Sequence, residues 1–264
     1  MTIKTIQLGL TAYGLPSFLR HAPEIAAVLA LIASMWVMFA TRWALGKLFF
    51  MAIAGLAVWM LWLAREYRRT QFISTQSLPS FLHTKLRAHY PHLSAADTQQ
   101  VEQGLRDFFL ACLYGKGRFM AMPSQAVDVM WHEFILHTKA YADWCDEALG
   151  RFLHHSPAEA LGHSAARNDG LRRIWFWCCQ REGINPRAPS HLPRLFAIDA
   201  ALNIPDGFRY RPDCTAKVDS DSSSSGCGGG HCGTHFAEGS YSGSCADFGG
   251  AESSGSGQVT GSGG

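Results

Sequence analysis

Two stretches without a charged residue, Ile25 to Ala40 (IAAVLALIASMWVMFA) and Leu48 to Ala64 (LFFMAIAGLAVWMLWLA), restrict this chain more than any other feature. At about 1.5 Å per residue each gives roughly 25 Å of helix, near the lower limit for crossing a hydrocarbon core of about 30 Å. Arg42 and Lys47 can snorkel from the helix ends, and Trp43 and Trp62 suit the interface. The chain is therefore expected to be an integral membrane protein, with a two-helix transmembrane hairpin over residues 21–69 and spans at about 25–40 and 48–64. A buried helical hairpin of a soluble domain is the alternative. A cleaved signal peptide is disfavoured because the first run begins late and the second follows directly.

Such a hairpin puts both termini on one side. Arg65, Arg68 and Arg69 follow the second span, with Lys85 and Arg87 beyond, against Arg42 and Lys47 in the connection. The positive-inside bias places the C-terminal portion in the cytoplasm, at the inner membrane if the chain is bacterial. In a reducing cytoplasm the eight cysteines are free thiols or metal ligands, not a disulfide framework. Cys178 and Cys179, within the apolar stretch IWFWCC, read as small core hydrophobes. A formal net charge of +2, with Lys and Arg scattered and no aromatic interleaving, argues against nucleic acid as a partner. The membrane and a protein partner remain.

Residues 1–20 are a weakly amphipathic lead. Residues 77–212 carry helical periodicity, with no strand alternation and no internal repeat, so they are expected to form an all-α domain with a core of its own. Ser94, with Asp97 three residues on, starts a helix that Gly115 and Gly117 end. Ser124 starts another, apolar at Val127, Met130, Trp131, Phe134, Ile135 and Thr138. SPAE at Ser156 to Glu159 is a capping box for a helix beginning after His155. A further helix runs through Leu171, Ile174, Trp175 and Cys178 to Gly183, and a last one spans roughly His191 to Leu202. Residues 213–264, rich in Gly and Ser, bury too little apolar surface to offset the entropy of ordering and are expected to be a disordered tail.

WHEFILH, Trp131 to His137, resembles the H-E-x-x-H zinc-protease helix with one residue too many. At about 100° per residue, His132 and His137 lie roughly 140° apart and cannot share an ion on a straight helix. Asp128, one turn before His132 on the same border, is placed to hold that imidazole in one tautomer. If the helix continues, His137, Tyr141 and Cys145 form an i, i+4, i+8 series, with Cys145 facing the core. The chain then returns through Gly150 to His154 and His155. Asp128, His132, Cys145 and His155 together would supply the nitrogen, oxygen and sulfur ligands that zinc takes. The competing reading is that each packs or hydrogen-bonds within the core. In the tail, GCGGGHCGTH offers Cys227, His231, Cys232 and His235 as a second ligand set on a flexible backbone.

The run MPSQAVDVMWHEFILHTKAYADWCDEALGRFLHHSP resembles the glycine-rich domain-containing protein family, known from plants, and its bacterial relatives. The pattern is met by Val127, Asp128, Trp131, His132, Ile135, Tyr141, Cys145, Gly150 and His155. Plant members often have a second His two residues after the first, where this chain has Phe134. The resemblance implies a helical domain and no reaction. A membrane-anchored interaction or regulatory module is the expected function. A metal- or thiol-dependent enzyme using Asp128, His132, Cys145 and His155 is the alternative, with Cys145 as ligand or nucleophile. A nucleophilic Cys145 would need exposure and a nearby cation, whereas its place on the stripe predicts burial.

Overall fold

The computed structural model describes residues 22–40, 44–156, 165–213, 231–238 and 250–252. Contacts divide the chain into two compact units, residues 1–68 and 69–264. The first contains helix α1 (Ala22–Ala40) and most of α2 (Ala44–Thr75). Among the described residues one helix, Gly46–Thr75, is long and apolar enough to cross a membrane, and only 6% of its most apolar window is buried. Leu48, Phe49, Met51 and Trp59 are among its exposed side chains. The other apolar stretch, Ile25–Val37, is shorter, so one candidate span stands where two were expected. The second run gains its length because REYRR adds good helix formers and the helix continues without a break to Thr75.

The second unit is mostly helical: α3 (Phe81–His89), α4 (Ala95–Tyr114), α5 (Gln125–Leu136), α6 (Thr138–Leu149), α7 (Ala165–Glu182), α8 (Arg194–Ala201) and α9 (Gly233–Glu238). Ser94 caps α4 reciprocally with Asp97, and Gly115 ends it. Val101, Leu105, Phe108, Phe109 and Cys112 of α4 are buried at the centre of the core. Gly104 sets how closely α5 and α8 approach, because a Cβ there would lie 2.6 Å from Ile198 Cδ1 and 3.0 Å from Val127 Cγ2. Arg106 ties the last turns of α2 to α4: it donates to the Ile73 carbonyl at 2.7 Å and pairs with Glu102. The other Glu102 oxygen lies 2.6 Å from His83 Nε2 on α3, so this buried charge network is internally satisfied.

The series His137, Tyr141, Cys145 depended on the helix that starts at Ser124 continuing through Cys145. The chain instead breaks at His137 (φ −89°, ψ 62°), whose N–H closes onto the Phe134 carbonyl, and α6 starts afresh. With neither Gly nor Pro in ILHTKA, no local signal marks this corner. It brings Trp144 of α6 back over Phe134 of α5, with ring centroids 5.8 Å apart.

Short strands correct the purely helical expectation: β1 (Met120–Ala121), β2 (His154–Ser156), β3 (Tyr210–Arg211), β4 (His231–Cys232) and β5 (Gly250–Glu252). β5 lies between β1 and β2, antiparallel to both, with Ala251 opposite Met120 on one side and His155 on the other. β3 and β4 pair in parallel. Elements of two or three residues are too short for alternation to show in sequence. β4, α9 and β5 all come from the segment expected to be disordered. Phe236 of α9 is fully buried, 5.6 Å from the Trp175 ring and 6.1 Å from that of Phe196. The rest of that tail, the N-terminal lead and the capped helix expected after Ser156 lie outside the described residues.

Cys112, Cys145, Cys178 and Cys179 are free and buried. Cys232 is disulfide-bonded, to a partner outside the described residues, which corrects the expectation of thiols throughout.

Candidate metal site

The site begins with the start of α5. Ser124, in extended conformation, caps the helix by accepting from the Val127 N–H. Behind it the fully buried Asp199 of α8 accepts from the Ser124 hydroxyl (2.7 Å) and from the Gln125 (2.7 Å), Ala126 (3.2 Å) and Phe208 (2.9 Å) N–H groups. Donors that a helix end would otherwise leave open are thus satisfied, and the first turn is fixed. Asp128 stands in that first turn, where a carboxylate also suits the helix dipole.

One turn on, His132 Nδ1 lies 2.9 Å from the Asp128 carbonyl and 3.2 Å from its Oδ2. From β2, His155 Nε2 reaches Asp128 Oδ1 at 3.2 Å. The two imidazole centroids are 4.2 Å apart, and the Trp131 ring meets His155 edge-on at 4.7 Å. The Asp128 and His155 side chains are mostly buried, whereas half of His132 is open to solvent. Asp128, His132 and His155 each present a ligand atom within 4.8 Å of the other two. Three donors converging from a helix turn and a strand match the two-His, one-carboxylate set that divalent transition metals accept.

Burial works to raise the Asp128 carboxyl, but hydrogen bonds from His132 and His155 outweigh it and hold the group below its ordinary value. The same hydrogen bond to Asp128 lifts His132 above the ordinary imidazole value, against partial burial. Protons and a cation therefore compete for one set of atoms.

Trp131 and Tyr141 brace the site from below. Trp131 Nε1 donates to the Tyr141 hydroxyl at 3.1 Å, which donates in turn to the Leu153 carbonyl at 2.7 Å, two residues before His155. This buried relay spans α5, α6 and the lead into β2, so it fixes the strand that carries His155. Cys145 lies in this supporting layer and not among the three converging ligands. It is fully buried, and burial pushes its thiol up despite hydrogen bonds to Leu153 and Tyr141. Such burial works against the exposure that a reactive thiolate needs.

The two histidines of WHEFILH part company. The His137 ring stacks on Phe81 at 3.9 Å, and its Nδ1 faces the Glu133 carbonyl at 3.0 Å. Glu133 pairs with Lys85 at 3.8 Å. In the tail set, the sulfur of Cys232 is held in its disulfide and withdrawn from metal binding in that state. Cys227 and the side chains of His231 and His235 lie outside the described residues. Asp199 was missed from sequence, although a lone carboxylate in the apolar helix RLFAIDAA is a signal that it must meet donors from elsewhere.

A protein-family model described as UCP032817-like matches residues 68–236. This overturns the resemblance to glycine-rich domain-containing proteins. The residues that suggested it, such as Trp131, Tyr141 and Cys145, are core positions, and such spacings follow from how two helices pack as readily as from common descent. No curated protein and no solved structure matches the chain.

Proposed function

The chain belongs to the UCP032817-like family, and on that premise we propose a membrane-attached regulatory module whose helical domain holds a divalent transition-metal ion. Zinc is the ion that the ligand set favours. The observation carrying this reading is the convergence of Asp128, His132 and His155 within 4.8 Å of one another. Three protein ligands, one of them half exposed, leave the ion a position for water, the arrangement of a reactive rather than a closed structural centre. That openness favours the alternative of a metal-dependent enzyme over a thiol-dependent one. In the full reading α1 and α2 form a two-span hairpin, and Arg65, Arg68 and Arg69 keep the domain in the cytoplasm. A second reading, with the domain on an oxidising face, is favoured by the disulfide at Cys232.

The test is metal content and zinc titration of the full chain in detergent, with a competing chelator. One zinc per chain is expected, with affinity falling more than about 100-fold in Asp128→Asn and His155→Ala, beyond the effect of losing an outer-shell partner. His137→Ala should bind as the parent does. A folded parent protein, by circular dichroism, that takes up no zinc, or zinc uptake unchanged in both variants, refutes the site.

A further inference from the structure

A cleft lies at the C-terminal end of α4, with Asp128 outside its lining. Its volume is about 400 Å³, and one wall is a single face of α7 carrying Asp169, Arg172, Arg173, Phe176 and Trp177. Arg118, from the turn after α4, closes the other side beside Tyr114. We propose that this cleft is a binding site for a phosphate-bearing anion of about mononucleotide size.

Charge is the first support. Three guanidinium groups share the cleft with one lining carboxylate among the described residues, that of Asp169, which is more than half exposed and only 3.9 Å from Arg172 Nη1. Three cations facing one carboxylate leave an excess of positive charge that attracts an anion. Burial lowers the affinity of Arg173 for a proton, the Asp169 carboxylate opposes that shift, and the neighbouring Arg118 adds to it.

Preorganisation is the second. Each arginine is tethered through Nε to a backbone carbonyl: Arg118 to Gly115 at 3.3 Å, Arg172 to Phe236 at 3.0 Å and Arg173 to Phe119 at 2.8 Å. Fixing Nε orients the planar head while leaving its outer nitrogens for a ligand. That fork matches the paired oxygens of phosphate, and less side-chain freedom is lost on binding than with a free arginine. Size and lining are the third. The volume lies within the range of small-molecule sites, and exceeds what a bare phosphate fills. Tyr114, Phe176 and Trp177 give apolar surface against which a ring or the neck of a lipid headgroup could rest.

The experiment titrates the full chain in detergent with adenosine monophosphate and with inorganic phosphate, followed by calorimetry and tryptophan emission, and measures co-flotation with phosphatidylglycerol and phosphatidylcholine vesicles. Saturable binding of the nucleotide, tighter than inorganic phosphate, is expected, weakening at least tenfold in Arg118→Gln and in Arg172→Gln. Asp169→Asn removes the opposing charge and should tighten binding severalfold, an outcome that loss of folding cannot mimic. Binding confined to phosphatidylglycerol vesicles and lost in the same variants assigns the same chemistry to a lipid source. No saturable binding of any probe, or binding indifferent to Arg118 and Asp169, overturns the proposal.

Discussion

Replacing Asp199 by alanine should be among the most damaging single changes in the soluble domain. The carboxylate is fully buried and accepts from four donors, three of them backbone N–H groups. Each buried donor left without a partner costs about 1–3 kcal/mol. The Ser124 hydroxyl can turn to another acceptor, and the half-buried N–H groups of Gln125 and Phe208 can recruit water, so a loss of about 3–5 kcal/mol is expected instead of the full sum. For a domain of this size about 2–4 °C of Tm goes with each kcal/mol, giving a fall on the order of 10 °C in a circular dichroism melt. Asp199→Asn should fare little better, because its amide nitrogen would confront backbone donors. Ser124→Ala, which removes one cap, should cost only about 1 kcal/mol. Asp128 stands in the turn that Asp199 fixes, so zinc affinity should fall along with Tm. A Tm within about 2 °C of the parent would refute the capping role and the reasoning from it.

Stability should also depend on pH through the Asp128–His132 pair. His132 is raised in the fold, so its contribution is complete below the ordinary imidazole value of about 6.5 and disappears as pH rises through the raised value. Asp128 is lowered, so its contribution is complete above about 3.9 and disappears as pH falls through the lowered value. Metal-free protein should therefore gain most from the pair between about pH 4 and 6.5, and Asp128→Asn should lower Tm across that window and weaken the falls on either side of it; an unchanged profile would remove the ion pair from the account. Sidedness is decided by protease added to intact cells: a cytoplasmic domain survives until lysis, whereas digestion from outside would refute that placement and agree with an oxidised Cys232.

Much of the domain could be read locally. Ser94 with Asp97, Ser124 and Gly115 mark helix ends because caps act within three residues, and the structure places each at that end. Asp128 and His132 could be paired for the same reason, being one turn apart. His155 could be nominated only as one of two adjacent histidines. Its choice over His154 depends on β2, whose partner strand begins at Gly250, far along the chain. Cys145 was rightly read as facing the core, and that same burial keeps it from the ligand set. Phe236 is surrounded in sequence by glycine and serine, so average composition hid a side chain whose aromatic neighbours are Trp175, Phe196 and Tyr210. The split at His137 has no breaker residue and is set by tertiary packing.

The middle position of β5 orders events during synthesis. Residues 250–252 are made long after β1 and β2 have left the ribosome, yet among the described residues those two strands are joined through the latecomer, with no direct ladder between them. A nascent chain can thus bury its aromatic centre and cap α5 while the backbone of His155 still lacks its neighbour. If the proposed site takes up an ion, a message truncated shortly before codon 250 should therefore yield a folded but poorly ligating product.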